Sequence, residues 1–231
     1  MQHRINVIIP AYNEEASIGR VIAEIPDIVE EIIVASNNSN DATETVARDA
    51  GATVLNEARR GYGYACLKAM DYIASKAEKP DIVVFLDGDY SDYPEELTKI
   101  VQPIVENDYD LVIGARRKAL REKHSMTPQQ VFGNWLASFL MKLFFNAGFT
   151  DLGPFRAIKY EKLKLLGMVD KTYGWTVEMQ LKAIKKELAY TEVPVRYRKR
   201  IGASKVSGTL KGTIFASVKI LGWIFKYGLK Q

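Results

Sequence analysis

Asp87, Asp89 and Asp92 follow directly on the apolar run Val83-Val84-Phe85-Leu86, with Gly88 between the first two. Two carboxylates this close repel one another unless a cation lies between them, and oxygen ligands of this kind suit Mg²⁺ or Mn²⁺. The chemistry on offer is therefore a divalent ion held between Asp87 and Asp89, with Asp92 a third carboxylate close by. The plainer alternative is that the aspartates only cap the next helix and solvate a loop. Pro94, Glu95 and Glu96 do read as a helix start, with the ring in the first turn and acids at the positive end of the dipole.

What delivers these residues is a short strand, rich in β-branched and aromatic types, that reads as buried on both faces. The chain around it alternates strand and helix. Strands are expected at Ile5–Ile9, Glu31–Ala35, Thr53–Leu55, from Val83, and at Tyr109–Gly114. Helices are expected between them, ending near Pro26, Ala50 and Lys76. Units this short imply right-handed crossovers and a mostly parallel α/β sheet with helices on both faces. Ligands in such folds bind beyond the carboxyl ends of the strands, and each of those ends carries polar chemistry here. Asn13 and Glu14 follow the first strand, Ser36 and Asn37 the second, Arg59 and Arg60 the third, and the aspartates the fourth. Amides and hydroxyls can read a base and ribose. Arg60, with the Gly61 and Gly63 backbone, can meet a diphosphate.

These motifs, in this order, resemble the GT-A-fold family 2 glycosyltransferases, and within them the dolichyl- or polyprenyl-phosphate sugar synthases. Pro10-Ala11-Tyr12-Asn13-Glu14-Glu15 is similar to the family's nucleotide-contacting loop, and Ser36 to Thr43 to its second signature. Arg60-Gly61-Tyr62-Gly63-Tyr64-Ala65 resembles the glycine-rich helix start, and Asp87-Gly88-Asp89 stands in place of the metal-binding Asp-x-Asp. Ser36 replaces an aspartate usual in the second signature. Ser91 replaces a glutamine that shares the metal ion in the polyprenyl branch, and the resemblance implies that Asp92, one residue on, substitutes as a metal ligand, directly or through a water. Asp151-Leu152-Gly153-Pro154-Phe155-Arg156 resembles an acceptor-side motif, with Gly-Pro where Ser-Gly is usual. Arg200-Ile201-Gly202-Ala203-Ser204-Lys205 resembles a second, with Lys199 at the usual arginine place. The resemblance spans roughly residues 4–206. It implies an inverting hexosyltransferase using a nucleotide sugar of the UDP-glucose or GDP-mannose type. Asp89, Glu178 and Arg200 are then expected to be catalytic. Pro10, Tyr12, Asn13, Glu14, Ser36, Asn37, Arg60, Gly61, Asp87, Asp151, Arg156, Lys199 and Lys205 are expected to bind substrates. Glu178 stands in the region of the family's catalytic or acceptor-side acid; alternatively it is a helix glutamate paired with Lys182 four residues on.

Composition bears on the acceptor. At 231 residues and 47% hydrophobic content the chain can build one large domain, and 1–206 is expected to be the transferase. The single cysteine, Cys66, permits no internal disulfide and suits a reducing compartment, hence a cytoplasmic location. No secretory signal and no apolar run of about 20 residues is evident. The net charge is only +4, but from residue 193 onward the chain carries nine Lys or Arg and no Asp or Glu. That asymmetry favours an anionic partner. In 207–231, Lys211, Lys219 and Lys226 fall within about 80° of helical arc, apart from Ile220, Trp223 and Ile224. A basic, Trp-bearing amphipathic helix suits a membrane interface; the alternative is a helix packed on the sheet or in a homodimer, with its lysines solvated. Val131–Phe149 reads as a second apolar helix with a polar stripe at Asn134, Ser138, Lys142 and Asn146. The expectation is transfer to polyprenyl or dolichyl phosphate, peripherally on the cytoplasmic face of a membrane, with no nucleic acid involved. Two rivals remain: a soluble transferase acting on a glycan or small-molecule hydroxyl, and a non-enzymatic nucleic-acid binder.

Overall fold

A computed structural model describes residues 3–202 and 210–228, the side chains of 210–214 and 216 excepted. Seven strands form one sheet: β1 (Ile5–Ala11), β2 (Glu31–Ser36), β3 (Thr53–Asn56), β4 (Ile82–Phe85), β5 (Leu111–Ala115), β6 (Arg156–Lys159) and β7 (Tyr190–Pro194). Their order is β3-β2-β1-β4-β6-β5-β7. All pairings are parallel except those of β6, which runs antiparallel to both β4 and β5. The mostly parallel α/β architecture is as expected; β6 and β7 are additions to it. β6 is only four residues long, and Arg156 and Lys159 interrupt its apolar pattern, so periodicity carried little signal.

Side chains alternate between two apolar layers, as period 2 requires. Ile8, Ile33, Val83 and Phe85 point to the layer holding α3 (Tyr62–Ser75), α5 (Pro128–Phe145), α6 (Tyr160–Leu166), α7 (Trp175–Lys185) and α8 (Leu210–Gly228). Val7, Ile9, Ile82 and Val84 point to the other, covered by α1 (Ile18–Ala23), α2 (Thr43–Asp49) and α4 (Leu97–Asn107). Burial on both faces explains why the strands read as continuous hydrophobic runs.

The antiparallel strand matters for function. Phe85 at the end of β4 and Ile113 near the end of β5 both pair with Arg156 at the start of β6. Residues 151–155 therefore arrive at the same sheet edge as the aspartates. β7, parallel to β5 with Ala115 opposite Pro194, sends residues 195–202 to that edge as well.

α5 begins with a capping box between Thr127 and Gln130 and ends at Asn146, whose φ of 52° terminates the helix four residues before Thr150. α8 packs against α5 and α7, with Trp223 and Ile224 buried in the core. No helix among the described residues is long and apolar enough to cross a membrane.

Candidate functional site

The loops at the carboxyl edge enclose a cavity of about 310 Å³. Pro10, Ala11, Tyr12 and Glu14 line it from the β1 loop, Asn37 from β2, and Arg60, Gly61 and Tyr62 from the turn into α3. Asp87, Gly88 and Asp89 close it from β4, with Tyr173 and Arg200 opposite. Asn37 fixes the Arg60 turn: its amide donates to the Glu57 and Arg59 carbonyls and its carbonyl accepts Gly61 N–H at 2.7 Å. The Arg60 guanidinium lies 4.9 Å from the Tyr12 ring centroid, an aromatic and a cation stacked at the cavity wall. Gly61 has φ 148°, and a Cβ there would lie 2.2 Å from the Lys171 carbonyl oxygen. Only glycine fits that approach.

Asp87 accepts the Tyr62 hydroxyl at 3.1 Å. Its carboxyl is pushed up to about 7, first by burial and then by the Asp89 charge beside it, against the Arg200 and Arg116 charges. Asp89 accepts Ser91 N–H and faces Arg200 Nη1 at 3.0 Å, and Arg200 Nη2 also reaches Glu14 Oε1 at 3.4 Å. A guanidinium thus sits where positive charge is needed. Two carboxylates that cannot both ionise comfortably, facing a cavity, fit Mg²⁺ or Mn²⁺, which usually takes one or two protein carboxylates and completes its shell with phosphate and water.

Asp92 does not join them. It does not line the cavity, both its oxygens are buried without a hydrogen-bond donor, and burial pushes its carboxyl well above the ordinary range, followed by the charges of Asp87 and Asp89. Among the described residues no three acidic, histidine or cysteine side chains gather as a metal cage. Of the three expected aspartates, Asp87 and Asp89 line the cavity.

Other expected site residues separate into those facing a cavity and those building its walls. Asn13 ties its loop to the next, its backbone donating to Ser39 Oγ and its Oδ1 accepting Asn40 N–H. Ser36 is fully buried and lines no part of the cavity, so its expected contact with a base or ribose is corrected. Glu178 is also fully buried: its carboxylate accepts Val169 and Asp170 N–H and pairs with Lys182 at 2.7 Å. The i,i+4 partner is the expected one. The burial and the capping of an adjacent loop leave Glu178 a framework rather than a proton-transfer geometry. Arg156, fully buried, donates to the carbonyls of Leu152, Gly153 and Thr176, and burial lowers its pKa to about 10. It shapes the 151–155 segment and does not line either cavity, correcting its expected phosphate contact. Lys199 is exposed, with its backbone N–H on Glu122. Lys205 lies outside the described residues.

A second cavity, of about 410 Å³, lies where β5 ends, with Ala115 in its lining. Arg116, Arg117, Lys118 and Arg121 line one side of it. Asn134, Trp135, Ser138, Phe139 and Lys142 of α5 line the other, so most of the polar stripe read from the sequence faces this space. Asp151, expected to contact substrate, lines it while gripping Arg116 through the backbone N–H, Nε and Nη2 at 2.5–2.9 Å. Burial alone would raise the Asp151 carboxyl, but the Arg116 charge and hydrogen bonds hold it below the usual range. The Arg116 charge also reaches Asp87 and Asp92. Arg116, Arg117 and Lys118, which directly follow β5, received no role from the sequence; three cations at the mouth of a buried strand were the available signal. Tyr173 left none.

Comparison with known proteins agrees with this geometry. The family model described as Glycosyl transferase family 2 matches residues 6–166. An uncharacterized glycosyltransferase of Mycobacterium tuberculosis is 34% identical over 213 residues, covering 92% of this chain and 94% of that one. A dolichyl-phosphate hexose transferase of Haloferax volcanii is 30% identical over 207 residues, covering 87% and 85%. The fold matches glucosyl-3-phosphoglycerate synthase from Mycobacterium tuberculosis, solved with Mn²⁺, UDP-glucose and phosphoglyceric acid, at TM-score 0.77 and 23% identity over 98% of this chain and 80% of that one. The sheet with its antiparallel β6 is thus a GT-A fold, and the chain belongs to glycosyl transferase family 2.

Proposed function

We propose that the protein transfers a hexose from a nucleoside diphosphate to a polyprenyl or dolichyl phosphate at the surface of a membrane. The observation that carries this is the presence of two cavities: one acidic and edged by an aromatic and a cation, the other basic and edged by aromatics, with the charge of Arg116 in the second reaching Asp87 in the first. In the first, Tyr12 and Asn37 face the nucleoside while Arg60 and Arg200 face the diphosphate. Asp87 and Asp89 would hold Mg²⁺ or Mn²⁺, which supplies positive charge to the departing diphosphate. In the second, Arg116, Arg117, Lys118 and Arg121 receive the acceptor phosphate. That phosphate is largely ionised at neutral pH, so its oxygen attacks the anomeric carbon without a general base as the bond to the diphosphate breaks. This removes the need for Glu178 as a base.

The lipid is favoured by what rims the basic cavity. Phe132, Trp135, Phe139 and Leu143 form one exposed face of α5, between 49% and 65% accessible. Phe215, Val218 and Phe225 are exposed on the neighbouring α8, with Phe225 5.7 Å from Phe144 of α5. Apolar side chains flanked by Lys142, Lys219 and Lys226 suit an anionic bilayer interface. The reading is of a peripheral protein on the cytoplasmic face, with no nucleic-acid partner.

A second reading keeps the donor site and places a small phosphorylated acceptor in the basic cavity, since cations meet either phosphate. Transfer of radiolabelled sugar from a panel of nucleotide sugars, in the presence of polyprenyl phosphate and Mn²⁺, separates the two. Label extractable into organic solvent supports the lipid; label confined to water-soluble products overturns it.

A further inference from the structure

The segment 167–174 between α6 and α7 is held from two sides. On one side Asp170, whose side chain is fully buried, presents Oδ2 to α8, where it accepts Trp223 Nε1–H at 2.6 Å and pairs with Lys219 Nζ at 3.2 Å. Its other oxygen accepts Thr172 and Gly174 N–H, folding the segment around the carboxylate. Gly174 packs against the Trp223 ring so closely that a Cβ would lie 2.5 Å from it. On the far side the same segment presses on the turn that lines the donor cavity. A Cβ on Gly63 would lie 2.0 Å from the Asp170 carbonyl oxygen, and Tyr64 N–H donates to the Lys171 carbonyl at 3.1 Å. Tyr173, from this segment, lines the donor cavity itself.

One carboxylate therefore joins α8 to the Gly61–Gly63 turn through a single layer of backbone. A buried carboxylate with an N–H donor and an ammonium on the same oxygen is costly to separate from them. Backbone in contact at this distance transmits a shift rather than absorbing it.

We infer that Trp223 and Asp170 are positioning residues for the donor nucleotide: the seating of α8 sets the placement of the 170–173 segment, and with it the Gly61–Gly63 turn and Tyr173. This rests on the donor reading above and goes beyond it, making the interfacial helix part of the donor site. Without the Trp223 N–H, Asp170 is left with the half-exposed Lys219 as its partner on α8, the segment relaxes away from Gly63, and the turn no longer presents its backbone to a diphosphate.

The test is calorimetric affinity for UDP and for GDP, each with Mn²⁺, on the full chain. Trp223→Phe keeps an aromatic ring in the core while removing the N–H donor and the second ring of the indole, and is expected to weaken the nucleotide that binds by about fivefold to tenfold, within the range of couplings between linked sites. Ile224→Val trims the neighbouring buried residue of α8, which has no bond to the segment, and is expected to bind like the wild type. Equal affinity in Trp223→Phe and wild type overturns the coupling while leaving the donor reading intact; so does an equal loss in Trp223→Phe and Ile224→Val, which marks general loosening. Should Trp223→Phe fail to fold, Lys219→Met removes the other α8 contact from a half-exposed position, and wild-type affinity there overturns the coupling. A wild type that binds neither nucleotide overturns the donor reading and this inference together.

Discussion

Asp151→Asn is the most informative single change. The carboxylate takes three hydrogen bonds from Arg116, with both side chains nearly buried, at 10% and 5% accessibility. Asparagine keeps the shape, loses the charge and retains one acceptor oxygen, so a guanidinium is left without its counter-ion. Breaking a buried pair from one side costs about 3–5 kcal/mol. At roughly 2–4 °C per kcal/mol for a domain of this size, melting should fall by roughly 6–20 °C. The carboxyl is held below the ordinary range in the folded state, so its contribution is present above the unfolded value, about 3.9, and is lost as pH falls through the lower folded one. The stability gap between wild type and Asp151→Asn should accordingly be full at pH 7 and close in strong acid. The assay is denaturant unfolding across pH, with Arg116→Met/Asp151→Asn as the double variant. Removing both members should recover part of the loss, because no unpaired charge then remains buried. A single variant within about 0.5 kcal/mol of wild type, the range of ordinary surface changes, would refute the closed pair described here.

Asp89→Asn should abolish transfer, since it removes charge from the side of the cavity proposed to hold the divalent ion; full wild-type activity in EDTA would sink the metal assignment. Arg60→Ala should weaken nucleotide binding by about 1.5–3 kcal/mol, the range for a charged hydrogen bond, and unchanged calorimetric affinity would remove Arg60 from the donor site. The Asp87 carboxyl titrates near 7 when folded, against about 3.9 unfolded. The folded state therefore binds the proton more tightly between those values, and the group's contribution to metal-free stability falls as pH rises through that window. Mn²⁺ must displace the same proton, so its apparent affinity should drop about tenfold per unit below pH 7; a Kd flat from pH 5 to 8 would contradict this.

Local pattern was enough for the elements that carry the donor site. The β1, β2 and β4 strands are continuous apolar runs because both faces are buried, and their first polar residues necessarily lie at one edge of a parallel sheet. Hence Glu14, Asn37, Arg60, Gly61, Asp87 and Asp89 could be assigned to one crevice from types and spacing, and all of them line it; Tyr12 and Arg200, which line it too, were named from motif resemblance, Arg200 on the acceptor side. Residue type alone could not separate a charged group facing a ligand from one facing its own backbone. Arg156 and Glu178 stand in motifs that look like substrate contacts, yet both are buried and bonded to backbone carbonyls or N–H groups. Ser36, next in sequence to the cavity-lining Asn37, is turned away by the two-residue alternation, and Asp92, three residues after the cavity-lining Asp89, by the turn that follows the strand.

The remaining decisions were long-range. The antiparallel insertion of β6, between strands separated by more than twenty residues, brings Asp151 to Arg116 and creates the basic cavity; no local periodicity encodes that order. Nor could helix α8 reveal which of its faces is covered. Its Trp and Lys residues read alike as a membrane anchor, and only packing on α5 and α7 assigns Trp223 to the core and leaves Phe215, Val218 and Phe225 outside. Burial is a property of the neighbours a side chain acquires, and those neighbours come from distant parts of the chain.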